Sequence, residues 1–268
     1  MLKDITLGQY FPGDTVVHRL DPRTKIILVI VFIVALFLAV DWISYGAMFL
    51  VTALCIYLSK VKLRSILKGL KPLFFIILLT GILNLFYTKE GTVLLDWWIF
   101  TVTVGGIKRA FLMVVRIMLL VCGTLLLTYT TSPLALTDGL EMLLNPLKKI
   151  KVPVHEMSMM MSMALRFIPT LIEETDKIMS AQKARGADFS TGKITDRAKA
   201  LLPLLVPLFV SSLRRADELA VAMESRCYHG GEGRTRMKTL KLSRCDVLAF
   251  LFWALVLAGM IAMNVLGI

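Results

Sequence analysis

The sequence predicts an all-α integral membrane protein of about five transmembrane helices plus a cytoplasmic domain of long, charged helices. Three observations predict it. Of the 268 residues, 57% are hydrophobic and the mean hydropathy is +0.74, against roughly 45–50% apolar residues in soluble domains. The apolar residues gather in runs that approach or reach the ~20 residues needed to cross a bilayer as helix. The formal net charge of +12 is carried largely between those runs and in one polar region, as the positive-inside bias dictates. Its basic residues lack the interleaved aromatics of a single-strand platform, so no nucleic-acid partner is expected.

The spacing of the runs divides the chain into an N-terminal membrane domain, 1–130, of about four spans, a cytoplasmic domain, 131–245, and a C-terminal transmembrane helix, 246–268. Residues 1–21 lack the apolar core of a signal peptide and lead into Pro22, Arg23 and Lys25, so the first span is expected to be retained. Runs 26–40 and 43–58, separated by Asp41-Trp42, read as a helical hairpin with its turn at the interface. Both runs are short, and snorkelling Lys25 and Lys60 with amphipathic Trp42 and Tyr57 make up the length. Lys60, Lys62, Arg64, Lys68 and Lys71 form a basic connector before Pro72 and a third run, 73–87. With Arg19, Arg23 and Lys25, this connector is assigned to the cytoplasm.

The segment 88–109 has another texture: Lys89-Glu90-Gly91, the Trp97-Trp98 pair, alternating Thr101, Val102, Thr103 and Val104, then Gly105-Gly106. Period-two alternation ending in paired glycines predicts a short extended or hairpin segment at the outer interface. A fourth run, 110–130, returns inward, with Lys108 and Arg109 at its outer end against the charge bias. Arg116 inside it is a costly intramembrane charge. Two readings stay open for it: a functional residue, or a side chain satisfied by a loop or by the segment around Trp97-Trp98.

From 131 to 244 the chain becomes charged and carries Pro133, Pro146, Pro153, Pro169, Pro203 and Pro207. Residues 154–172 are mostly apolar but contain Glu156 and Arg166 and are interrupted by Pro169; residues 201–213 are broken by Pro203 and Pro207. Both read as amphipathic helices at the cytoplasmic interface rather than as further spans. Met157, Met159, Met160, Met161 and Met163 either fill irregular gaps in a helical core or form a surface that repacks against partners. Lys238, Lys241 and Arg244 precede the last run, 247–268. Five spans with the N-terminus in the cytoplasm place the C-terminus outside.

One pattern occurs twice in the polar region. Asp176-Lys177-Ile178 with Ala181, Ala184, Arg185 and Gly186 is followed by Asp217-Glu218-Leu219 with Ala222, Ser225, Arg226 and Cys227. In each copy the arginine lies nine positions after the aspartate, so at ~100° per residue the two point to opposite sides of a helix. Ala181, Ala184 and Arg185 share one face, as do Ala222, Ser225 and Arg226, and the small residues permit close approach of another backbone. Gly186 suits a left-handed helix end, and Gly230-Gly231 follows Arg226 closely, so both arginines are expected near helix ends. A single arginine there is explained by the helix dipole alone; a duplicated one with the same small neighbours points to two equivalent docking points.

Signs of catalysis are absent from the sequence. No G-x-x-x-x-G-K-[ST] loop occurs, and Gly230-Gly231-Glu232-Gly233 lacks the Lys-Ser/Thr. His155-Glu156 has no second histidine at metalloprotease spacing, and His18, His155 and His229 are scattered. Cys55, Cys122, Cys227 and Cys245 show no CxxC spacing. No catalytic residue, metal site or directly bound cofactor is expected.

With these residues in view, the chain resembles the transmembrane, or T, component of energy-coupling factor (ECF) transporters, a branch of the ABC importers of vitamins and transition metals. Ala184-Arg185-Gly186 matches the first of that family's two Ala-Arg-Gly-like motifs. Ser225-Arg226-Cys227 departs from the second at both neighbours of the arginine. His18-Arg19-Leu20-Asp21-Pro22-Arg23-Thr24-Lys25 resembles the family's segment before its first span. The resemblance implies that the polar helices are coupling helices, each docking into one of two ABC-type ATPase subunits. It also implies that those partners hydrolyse the ATP, that a membrane-embedded substrate-binding (S) subunit is moved, and that this chain is a non-catalytic subunit in the cell membrane. The unequal motifs lean toward two non-identical ATPases. Other classes weighed are a self-contained carrier, hinted at by Asn84 and Arg116, an intramembrane enzyme, for which the runs offer almost no paired acids or histidines, and a T component dedicated to cobalt or nickel.

Overall fold

Several helices in this chain start at a side chain that accepts from a free backbone N–H, among them Thr15, Asp21 and Thr103. The computed structural model, which describes residues 10–88, 92–97, 100–187, 194–230 and 240–266, has ten α-helices among the described residues. Lys89, Glu90, Gly91, Trp98, Gly231, Glu232, Gly233 and Lys238 lie outside the described residues. The helices are α1 (Val16–Arg19), α2 (Pro22–Leu38), α3 (Trp42–Ser59), α4 (Leu63–Leu70), α5 (Phe74–Tyr87), α6 (Val104–Thr130), α7 (Pro133–Leu144), α8 (Val154–Ala184), α9 (Ile194–Glu224) and α10 (Arg244–Leu266). The chain separates into two units, Gly8–Leu140 with Leu240–Ile268, and Met1–Leu7 with Glu141–Thr239.

In the first unit, α3, the stretch Leu63–Tyr87, α6 and α10 are each long and apolar enough to cross a membrane. Helix α2, with 17 residues, brings the number of apolar helices to five. The chain is an all-α membrane protein, with one short antiparallel hairpin, β1 (Val93–Trp97) and β2 (Phe100–Thr103), between α5 and α6. Helix α2 is central. Leu28, Phe32, Ala35 and Leu36 fall on one of its faces and are buried with Tyr45 and Met48 of α3, Leu112 and Leu119 of α6, and Trp253 and Met260 of α10. Between helices surrounded by lipid there is no water to expel, so this packing and the polar contacts below supply the association.

Two expectations change. The glycines Gly105-Gly106 do not close the extended segment: α6 begins at Val104, six residues before the apolar run, because Thr103 caps it with a side chain that accepts from Gly106 N–H at 3.1 Å. Lys108 and Arg109 therefore sit within the helix. The glycine is needed for contact, since a Cβ on Gly106 would lie 2.8 Å from the carbonyl oxygen of Leu85 in α5. In the second unit, Pro169 does not interrupt its helix, nor do Pro203 and Pro207. Helices α8 and α9 each run unbroken for 31 residues.

Proline removes an N–H and orphans the carbonyl four residues before it. For Pro207 that carbonyl belongs to Pro203, and Gln182 of α8 donates its side-chain N–H to it at 3.3 Å. The compensation thus comes from a neighbouring helix, where local sequence does not reveal it. Helices α8 and α9 run antiparallel: Gln182 meets Pro203, while Glu174 meets Ser211 and Arg215. At the start of α8, His155 pairs with Glu141 at 2.9 Å.

Arg116 finds partners inside the first unit. Its guanidinium donates to the carbonyl of Ala39 at 3.0 Å, and lies 5.5 Å from the centre of the Phe37 ring and 5.6 Å from that of Tyr45. Ala39 is the C-cap of α2, where carbonyls lack helical partners and the dipole attracts a cation. Arg116 closes the turn between α2 and α3, which is the loop-contact reading with a different loop from the one around Trp97-Trp98. Arg116→Leu is expected to lower stability by about 2 kcal/mol, read as an earlier unfolding midpoint in detergent.

A second polar junction lies where α2 and α10 begin and α6 ends. Asp246 reaches back to Ser243 at the start of α10, accepting from its N–H at 2.7 Å and from its hydroxyl at 2.8 Å. The other oxygen of Asp246 accepts from the backbone N–H of Asp21 at 2.8 Å. Lys25 donates to the carbonyls of Thr130 at 2.8 Å and His18 at 3.2 Å, and Arg23 to that of Leu240 at 3.0 Å. The segment that resembles a family signature is therefore the polar lock of the helix ends.

Candidate functional site

The duplicated motif forms the same structure twice. After α8, Gly186 N–H donates to the carbonyl of Lys183 at 3.0 Å and Ala187 N–H to that of Gln182 at 3.0 Å. After α9, Cys227 N–H donates to Glu224 at 2.8 Å and Tyr228 N–H to Met223 at 3.1 Å. Both are Schellman ends, in which two crossed bonds satisfy the last carbonyls and the residue after the cap turns left-handed. Gly186 has φ +89° and Cys227 φ +56°. In each copy the arginine is the capping residue itself. The expected glycine role is thus filled in the second copy by Cys227, ahead of Gly230.

A left-handed conformation costs a residue with a Cβ about 1–2 kcal/mol, and glycine nothing comparable. A Cβ on Gly186 would meet no atom within 4 Å, so the penalty there is purely conformational. Cys227→Gly is expected to stabilise the α9 end by about 1 kcal/mol, and Gly186→Ala to destabilise the α8 end by a similar amount. Hydrogen exchange of the amides of residues 183–187 and 224–228 checks both.

Arg185 and Arg226 are exposed, and so are their face-mates Ala181 and Ala184, and Ala222 and Ser225. Each helix therefore ends in a bare face of small residues closed by a cation. Because α8 and α9 are antiparallel, the two arginines lie at opposite ends of the pair, about 33–39 Å apart by helical rise. Such an end offers five guanidinium donors in a rigid fork, suited to a carboxylate or to the free carbonyls of a receiving helix.

A second surface accompanies the arginine ends. On α8, Met157, Met160 and Met161 are exposed at i, i+3 and i+4, so these three do not fill a core. On α9, Leu202, Leu205, Val206, Phe209 and Leu213 are more than half exposed. Among the described residues no cluster of three His, Cys, Asp or Glu side chains is placed to hold a metal.

One group escaped the sequence reading. Glu174 accepts from Arg215 at 2.7 Å and from the hydroxyl of Ser211, tying α8 to α9. The signal was in the repeat: Glu174 lies two residues before Asp176, and Arg215 two before Asp217. Superposing the two copies puts opposite charges at the same position.

Comparison with known proteins places the chain. Residues 13–237 match the family model CbiQ, described as cobalt transport protein. The chain is 51% identical over 263 residues to the energy-coupling factor transporter transmembrane protein EcfT of Ruminiclostridium cellulolyticum, covering 96% of this chain and 98% of that one. To the protein of the same name from Clostridium kluyveri it is 55% identical over 252 residues, covering 94% and 93%. To that of Bacillus subtilis it is 50% identical over 240 residues, covering 90% and 91%.

Proposed function

The chain belongs to the CbiQ family as a T component of ECF transporters, and from that premise we propose that it couples two ATPases to a substrate-binding subunit through Arg185 and Arg226. The observation that carries this reading is the pair of helix ends with the same backbone hydrogen bonding, each exposing one arginine beside small residues. Ala184, Arg185 and Gly186 form one seat; Ser225, Arg226 and Cys227 form the other; Ala181 and Ala222 extend each seat along the helix. ABC-type subunits that close on ATP and reopen after hydrolysis would displace the two ends, and rigid helices carry that displacement to the membrane.

The two seats share a backbone shape and differ in side chains, Ala184 against Ser225 and Gly186 against Cys227. That difference favours two related but non-identical ATPases. The exposed methionines of α8 and apolar stripe of α9 suit a membrane-embedded S subunit, because flexible thioethers adapt to more than one partner. In this reading residues 131–245 form the coupling domain on the cytoplasmic side, 1–130 and 246–268 lie in the membrane, the N-terminus is cytoplasmic and the C-terminus outside. The chain itself performs no catalysis and binds no cofactor; ATP is held and hydrolysed by the partners.

Mild detergent extraction with an affinity tag tests this assignment. Two nucleotide-binding subunits and a small membrane protein are expected to co-purify in stoichiometric amounts. A solitary chain that transports substrate after reconstitution would instead establish a self-contained carrier.

A further inference from the structure

We propose that Glu174, Ser211 and Arg215 form the fulcrum about which the two arginine ends move as one lever. The proposal rests on the reading of Arg185 and Arg226 as docking ends and adds to it the point that fixes their relative motion. Glu174 lies eleven residues before Arg185, and Arg215 eleven residues before Arg226. At the rise of an α-helix each arm is about 16 Å long. The joint therefore sits near the middle, about 16 Å from Arg185 and, counted from Arg215 and Ser211, about 16–22 Å from Arg226.

Geometry supports a fixed pivot. The carboxylate of Glu174 engages Arg215 with one oxygen, at 2.7 Å, and the Ser211 hydroxyl with the other. Ser211 and Arg215 are one helical turn apart on α9, so a single α8 side chain is held at two points of the same face. Antiparallel helices held only by apolar contact can slide by a side-chain row; a two-point charged tie resists sliding while permitting rotation about it. Displacement of one arginine end is then returned as an opposite displacement of comparable size at the other.

A merely structural role predicts something else. The Glu174 and Arg215 side chains are 23% and 35% exposed, and pairs this open to solvent add little to folding stability. Loss of the tie should leave the chain folded and the docking ends intact while uncoupling them.

The test uses the full transport complex in vesicles with Glu174→Gln, Arg215→Gln and the swap Glu174→Arg with Arg215→Glu, reading uptake and ATP hydrolysis together. Both single variants are expected to retain their ATPases and hydrolyse ATP, with uptake per ATP reduced about tenfold, and the swap is expected to recover most of it. Unchanged uptake per ATP, a swap no better than the singles, or loss of the ATPases from the singles would each overturn the proposal. A second measurement is independent of docking: spin labels at Lys183 and Glu224 on a cysteine-free background of the full chain. The distance distribution is expected to be narrow with the native pair and at least about twofold broader in Glu174→Gln; equal widths overturn the fulcrum. Failure of the docking reading would show separately, as normal uptake when both arginines are replaced.

Discussion

Replacing Arg185 and Arg226 together by alanine is expected to reduce ATP-driven uptake by about a hundredfold or more, with the chain still inserted in the membrane. The magnitude follows from seating each guanidinium in a partner: removing one member of a buried, hydrogen-bonded charge pair costs about 3–5 kcal/mol, two or more decades in affinity per site. Retention in the membrane follows from the position of the side chains, exposed at helix ends and outside the core. Each single replacement should leave one ATPase held and uptake at an intermediate or low level. Lysine in place of either arginine should recover little, because an ammonium lacks the planar fork that engages two acceptors at once. Uptake by reconstituted vesicles, normalised to the protein present, measures the effect.

Asp246→Ala is expected to damage the fold strongly, at about 2–4 kcal/mol. Asp246 is 1% exposed and accepts three hydrogen bonds, from Asp21 N–H and from the N–H and hydroxyl of Ser243. Alanine leaves the buried Asp21 N–H without its acceptor, at about 1–3 kcal/mol, and removes the side-chain cap that holds Ser243 at the start of α10, at about 1 kcal/mol. The Lys25 ammonium lies at the same junction and also loses a counter-charge. Asp246→Asn keeps an oxygen acceptor and should cost less. The amount of monodisperse protein recovered in mild detergent, and its unfolding midpoint, measure the difference between the two variants.

Much of this fold was legible because a bilayer imposes length and polarity on a helix directly. The five apolar runs, the Asp41-Trp42 turn and the hairpin before the fourth span all follow from local pattern. What local pattern misjudged was decided by a neighbour. Gly105-Gly106 resembles a turn, yet Thr103 caps a helix there and Gly106 is needed to let α6 approach Leu85 of α5. Pro207 resembles a break, yet Gln182 of α8 supplies a donor to the carbonyl it orphans. Arg116 was recognisable as a charge needing a partner, while the identity of that partner, the end of α2, depended on which helices pack together.

The arginine site divides in the same way. The repeat itself, the shared face of small residues and the left-handed end at Gly186 were visible in sequence, since all lie within one helix. That Cys227 adopts the same left-handed turn was hidden, because a cysteine carries no signal for positive φ. The tie between Glu174 and Arg215 joins residues 41 positions apart, and only the antiparallel pairing of α8 with α9 brings them together.

The central claim, that the two helix ends are separate seats for ATPases, is tested most directly by photo-crosslinking within the assembled complex. A photoreactive residue in place of Lys183, and in a second variant of Glu224, stands two positions before each arginine and leaves both motifs intact. The account predicts that each position captures a nucleotide-binding subunit, with Lys183 and Glu224 reporting different ones. Capture of the substrate-binding subunit or of lipid alone from both positions, with the ATPases present and active, would contradict it.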